Sequence, residues 1–204
     1  MTNIRTFSTN HGLVEERRNQ IMEAAMRLIC TKGLQKTSIR EIARESGMTI
    51  GNLYHYIGER NDIIYLAFTG GVDKYVSMLK EMDAYCRDLP AKEALTWAIG
   101  HYYRYHHATR LSTVFIFKEM SSFTPAFADP LLKAWSHTQE TFLKILNKGV
   151  KDGVFSPQNL DLAADTITTM GEMWAVKRFA YKSKYSLDEY IQHCTELAFK
   201  LIGV

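Results

Sequence analysis

Two helix-start signals stand close together early in the chain, with a glycine between them. Ser38-Ile39-Arg40-Glu41 has the form of a capping box. A serine hydroxyl can accept from the backbone three residues on, and a glutamate there can answer the serine's own N–H. Thr49 is a second cap residue, and Gly47 stands just before it. The chain between these caps has room for one short helix and one tight turn, and for little else. Ile39, Ile42 and Ala43 give that helix a buried side. Glycine lets the turn take positive φ, and the small residues Ala43 and Gly51 let two helices cross closely. Two short helices joined in this way make a helix-turn-helix.

The rest of the sequence is built to match. The 204 residues hold only 12 Gly and 4 Pro, and every proline lies at Pro90 or later. Few breakers and few β-branched runs predict an all-α chain of about nine helices. A first helix is expected from Val14 to Lys32, with Ile21, Ala25, Leu28 and Ile29 on its apolar face and Gly33 at its end. All aromatics except Phe7, Tyr54 and Tyr56 lie after residue 64. The chain therefore reads as an aromatic-poor head, residues 14–74, and an aromatic-rich body, residues 75–204.

Composition narrows the function classes. A net charge of +3 with 46% apolar residues is ordinary for a globular protein and excludes intrinsic disorder. No apolar run is long enough for a membrane span, and the polar stretch MTNIRTFSTN lacks the apolar core of a secretory signal. Cys30, Cys86 and Cys194 are odd in number and far apart, so neither a disulfide framework nor a zinc site is expected. A reducing cytoplasmic setting is the expectation that follows.

Residues 17–66 carry an ordered set of short motifs: Ile21, Ala24-Ala25, Lys32-Gly33, Thr37-Ser38-Ile39, Ile42-Ala43, Gly47, Gly51-Asn52-Leu53-Tyr54, Arg60 and Ile63-Ile64. In this register the segment resembles the DNA-binding domain of the TetR family of transcriptional regulators. Three departures are visible. Ile57 stands where the family usually has Phe, and Glu59-Arg60 where it has Ser-Lys. The third helix is neutral, with no Lys, Arg, Asp or Glu from Met48 to Gly58.

A short helix laid in the major groove presents its N-terminal side chains to base edges. Thr49, Ile50, Gly51, Asn52 and His55 are the residues placed to do so. Asn can pair bidentately with adenine, and Ile50 can touch a thymine methyl. Tyr54 and Ser38 can each donate a hydroxyl to phosphate, Arg60 can add charge, and Thr37 joins the DNA-facing set. Tyr54 as a core aromatic, His55 as plain surface and Asn52 as a helix-start residue are the bland alternatives. Few charges on the third helix imply few charged contacts and a shallow salt dependence.

Beyond residue 66 the similarity is one of organisation. Breakers and caps divide the body: Gly70-Gly71 inside a fourth helix, a fifth from Pro90, a sixth over Leu111 to Met120, a seventh opened by Asp129-Pro130 and ending at Gly153. An eighth spans Asn159 to Tyr181, and the capping box Ser186-Leu187-Asp188-Glu189 opens a ninth. Gly70-Gly71 reads either as a soft point or as a close packing site. The resemblance implies a homodimer formed through the last two helices, and a palindromic DNA operator requires one. It also implies a small hydrophobic effector between the fifth to eighth helices. Trp97, Tyr102, Phe115, Met120, Phe123, Trp135, Met170, Trp174 and Phe179 are its candidate lining, with ordinary core as the alternative for each. Residues 174–190 are similar to members that sense acyl-CoA thioesters. Lys177, Arg178, Lys182 and Lys184 can then meet phosphates, or simply form a solvated helix end. A hydrophobic drug or aromatic acid is the alternative effector.

His101, His106 and His107 lie among Tyr102, Tyr103 and Tyr105, without the i, i+4 spacing of a helical metal pair. No metal, cofactor or catalytic residue is expected. No GxSxG elbow, P-loop or HExxH stands in the sequence, which leaves an all-helical enzyme as a distant alternative. The nearer alternative is an activator or effector-requiring regulator. The reading is a repressor released from its operator by the effector.

Overall fold

The computed structural model describes residues 11–34, 36–57, 60–122 and 125–204, and among them every regular element is helical. The order is α1 (His11–Lys32), α2 (Ile39–Glu45), α3 (Ile50–Tyr56), α4 (Arg60–Cys86), α5 (Ala91–Ala108) and α6 (Arg110–Glu119). A 3₁₀ turn, Met120–Ser122, leads to α7 (Pro125–Lys151), α8 (Leu160–Val176), α9 (Arg178–Tyr181) and α10 (Leu187–Leu201). The chain divides into two compact units. One takes the chain up to Asp73 together with Lys118–Pro130; the other takes Lys74–Phe117 and Leu131–Val204.

In the first unit, Ile21, Ala24, Ala25 and Ile29 of α1 form a fully buried stripe. Ile42 and Ala43 of α2 and Leu53 and Tyr56 of α3 are buried with it, and α1 packs on both short helices. The α2–α3 turn closes as a Schellman motif. Gly47 takes φ +69, its N–H donates to the Arg44 carbonyl, and the Met48 N–H donates to the Ala43 carbonyl at 2.8 Å. Both sequence-predicted capping boxes form, at Ser38/Glu41 and at Ser186/Glu189.

In the second unit, α5 packs against α8 and α10. Tyr102, Tyr103, Phe142, Leu146, Ile167 and Trp174 are buried there. Gly171 of α8 faces the tyrosines of α5 so closely that a Cβ would lie 2.4 Å from the Tyr103 ring. Glycine at this point lets the two helix axes approach.

Two helix boundaries depart from the sequence reading. α7 opens at Pro125, and Pro130 lies inside it. Pro125 takes the first-turn place where a missing N–H costs nothing, and Pro130 forgoes one hydrogen bond just past that turn. The predicted eighth helix is split at Lys177, whose φ −98 and ψ 20 leave the helical region before α9 restarts. No Gly or Pro marks this break, so the sequence carries no signal for it.

Candidate functional site

The α3 helix is short but well anchored. Thr49 caps it, its hydroxyl accepting from the Asn52 N–H at 3.2 Å. Leu53 is fully buried and Tyr56 nearly so, which fixes the helix's rotation on the head. Arg18 of α1 donates its Nε–H to the Tyr56 carbonyl at 3.1 Å, setting a cation at the helix C-terminus where the dipole favours it. With those residues turned inward, Thr49, Ile50, Gly51, Asn52, Tyr54 and His55 are all exposed. Ile50 and Tyr54 each leave 39% of their surface to solvent.

Ser38 is exposed, but its hydroxyl is committed: it donates to Glu41 Oε2 at 2.7 Å and accepts from the Glu41 N–H. Glu41 also pairs with Lys32, and these partners hold its carboxyl down at about 2. Thr37 stands apart from the expected DNA-facing set. Its side chain is 3% exposed and its hydroxyl donates to the Gly33 carbonyl at 2.9 Å, so it fastens the α1–α2 turn. The Arg60 side chain lies outside the described residues. Lys36, Arg40 and Arg44 are exposed and make no salt bridge among the described residues, leaving positive charge on the unit that carries the neutral α3.

The expected pocket residues of the body separate into groups. Tyr102, Phe115 and Trp174 are buried; Trp97, Trp135 and Met170 are half-buried. Met120 belongs to the first unit, and Phe123 lies outside the described residues. Phe179 is 77% exposed and lines no interior. Its helix, α9, is a single turn with no buried residue. Trp97 is sandwiched between Tyr85 and His101, at 4.1 and 4.6 Å between ring centres. Trp174 donates its indole N–H to His107 Nδ1 at 2.9 Å, packs at a tilt on Tyr190, stacks with Tyr181, and carries the Arg178 guanidinium 5.3 Å over its ring. Lys177, Lys182 and Lys184 are exposed.

Sequence reasoning missed the polar centre of this unit. Tyr75 of α4 bonds Thr138 of α7 at 2.6 Å and Tyr102 of α5 at 3.2 Å. Tyr102 in turn lies 3.1 Å from Glu172 Oε1 of α8. Burial pushes the Glu172 carboxyl up to about 7, with the neighbouring Asp165 adding to the rise. His106 is buried among the rings of Tyr75, Tyr102 and Tyr105, with Nδ1 3.0 Å from Thr113 Oγ1. That burial drops its pKa to about 3, so it is neutral near pH 7. His107 is lowered too, first by burial and then by Arg178 and Arg110. The available signal was Glu172, a lone acid inside the apolar run MGEMWAV. Among the described residues no cluster of three His, Cys, Asp or Glu is placed to hold a metal.

Two family profiles match the chain. "Bacterial regulatory proteins, tetR family" covers residues 21–64, and "Tetracyclin repressor-like, C-terminal domain" covers residues 88–202. The HTH-type transcriptional regulator HbdR of Aromatoleum sp. (strain CIB) is 27% identical over 190 residues, 93% of this chain and 82% of the relative. A bacterial regulatory protein of the tetR family from Rhodococcus RHA1 has a similar structure, with TM-score 0.79 and 23% identity over 92% of this chain and 97% of that one. Bacillus subtilis FadR, solved in complex with stearoyl-CoA, follows at TM-score 0.71 and 19% identity, over 90% of this chain and 98% of that one.

Proposed function

This chain belongs to the TetR family and is a DNA-binding transcriptional regulator, and from that premise we propose that it is a homodimeric repressor released from a palindromic operator by a small hydrophobic effector. The observation that carries the reading is the exposed face of α3. Ile50, Asn52, Tyr54 and His55 are exposed on a helix whose opposite face, Leu53 and Tyr56, is locked into the core. In a major groove, Asn52 reads adenine, Ile50 meets a thymine methyl, and Tyr54 donates to phosphate. Arg60, Lys36 and Arg40 supply the charge that α3 lacks.

A palindromic site needs two heads about 34–36 Å apart. The support for a dimer is a second apolar stripe on the last helix. Ile191, Cys194 and Ala198 face inward, while Leu197 at 53% and Leu201 at 40% remain exposed, as does Leu162 of α8 at 60%. Two copies that join these faces bury them. Effector binding to the second unit then favours a state in which the two heads no longer fit successive grooves. A ligand can do this only by binding the two states with different affinity, and a tenfold loss of DNA affinity takes about 1.4 kcal/mol of coupling. An acyl-CoA is one candidate effector, because FadR of B. subtilis was solved with stearoyl-CoA. The half-buried Arg178 and the exposed Lys177, Lys182 and Lys184 supply cations for its phosphates.

Footprinting of the DNA flanking the gene, with and without a chain-length series of acyl-CoAs and their free acids, tests this. A symmetric footprint erased by one class of ligand is expected. A footprint that appears only when ligand is added would replace release with an effector-requiring mode.

A further inference from the structure

The buried polar centre of the second unit has a proton count that constrains its charge. Thr138 Oγ1 lies 3.0 Å from the Ala134 carbonyl and donates to it. The 2.6 Å contact from Tyr75 to Thr138 then uses the Tyr75 proton. If Glu172 is ionised, Tyr102 spends its proton on Glu172, and the 3.2 Å Tyr75–Tyr102 contact has no proton at all. If Glu172 is protonated, the chain closes. Glu172 donates to Tyr102, Tyr102 to Tyr75, Tyr75 to Thr138 and Thr138 to the Ala134 carbonyl. Each hydroxyl then donates once and accepts once. The raised carboxyl of Glu172 agrees with this count.

His106 stands beside that chain with one atom unanswered. It is 7% exposed, and its Nε2 is buried with no hydrogen bond among the described residues. The Thr113 hydroxyl lies 3.4 Å from the Thr109 carbonyl and 3.0 Å from His106 Nδ1; in the tautomer with the proton on Nδ1 it donates to that carbonyl and accepts from His106. Nε2 of this neutral ring is then a bare acceptor. Leaving such an atom unpaired is unfavourable, and a donor on a ligand relieves it.

We propose that this cluster is where the effector's polar group is read, and that it takes an uncharged hydroxyl, aliphatic or phenolic, on an apolar body. The proposal rests on the effector reading above and narrows it. The hydroxyl donates to His106 Nε2, and the rings of Tyr75, Tyr102 and Tyr105 pack against the apolar part. A carboxylate brought here must lose its water beside a neutral histidine and a protonated glutamate. Arg110, whose buried Nε makes no hydrogen bond among the described residues, is the competing cation; its charge helps lower His107.

Two matched pairs test the choice on the full-length protein: 2-naphthol against 2-naphthoate, and 1-decanol against decanoate. Calorimetry at pH 6, where Glu172 is protonated and both test acids are ionised, is the readout. The hydroxyl member of at least one pair is expected to bind tenfold or more tightly than its carboxylate. His106→Phe should erase that preference, and Glu172→Gln, which keeps the group neutral, should preserve it. Equal or tighter binding of the carboxylates would assign the site to Arg110 and overturn the proposal, as would binding of neither pair. Retention of the preference in His106→Phe would overturn it equally. The comparison between wild-type ligands stands even if a variant fails to fold. A titration of flanking DNA without probe is run beside it: loss of DNA binding there refutes the regulator reading, whereas a carboxylate preference refutes only the hydroxyl assignment.

Discussion

Replacing Gly171 with alanine should destabilise the second unit, although glycine is a poor residue for the middle of a helix. Removing that helix penalty contributes about 1 kcal/mol in favour of alanine. Against it, the new Cβ would lie 2.4 and 2.6 Å from two atoms of the Tyr103 ring and 3.1 Å from Tyr102. Carbon contacts want about 3.5–4.0 Å, so the Tyr103 ring must retreat by roughly 1 Å. It has little freedom to do so, being fully buried and tied by its hydroxyl to the Ile167 carbonyl at 2.7 Å. Overpacking of this kind costs about 1–3 kcal/mol, and straining the tyrosine bond adds about 1 kcal/mol. The balance is a loss of about 2 kcal/mol, or a fall in Tm of roughly 4–8 °C for a chain of this size. Gly71→Ala is the control. That residue is exposed and a Cβ there meets nothing within 4 Å, so it should gain up to about 1 kcal/mol. Scanning calorimetry of the two variants gives the answer. Equal rises in both would refute the claim that α5 and α8 approach at Gly171 through glycine alone.

Gly71→Ala also addresses the paired glycines of α4: a stabilised variant that binds DNA normally but needs more effector for release would mark them as a soft point, and an unchanged response would not. Asn52→Ala should weaken specific DNA binding by about 1–3 kcal/mol and relax preference at one base position, with melting unaltered, as a set of singly substituted duplexes would reveal. Leu197→Glu with Leu201→Glu should yield a folded monomer by sedimentation, since both side chains are exposed in the single chain. The two buried titratable groups should tilt stability in opposite directions. Glu172 is raised from 4.5 to about 7, so the stability it contributes is present at low pH and is lost as pH rises across that window. His106 is lowered from 6.5 to about 3, so its contribution is present above 6.5 and is lost as pH falls towards 3. Urea midpoints against pH should lose their fall between pH 4.5 and 7 in Glu172→Gln, and part of their acid limb in His106→Phe.

The head was legible because its signals are local. Capping boxes, Gly47 and the Thr49 cap act within four residues of themselves, so the sequence alone sets them. Thr37 was misplaced for the same reason. A threonine beside a helix cap looks exposed, and only the 2.9 Å bond back to Gly33 reveals that it faces inward. The body's polar centre depends on contacts between residues as far apart as Tyr75, Thr138 and Glu172, and no local pattern joins these. Phe179 failed from the opposite side. An aromatic in the same expected helix as Trp174 looks like lining, but the unmarked break at Lys177 separates the two and Phe179 is exposed.

The reading stands or falls on affinity for the DNA beside the gene, followed by fluorescence anisotropy at fixed salt with and without saturating effector. Two chains per duplex are expected, with at least hundredfold preference over a scrambled duplex and at least a tenfold loss of affinity when effector is added. Binding without sequence preference, or with one chain per duplex, would contradict the assignment of α3 as the reading helix of a dimeric repressor.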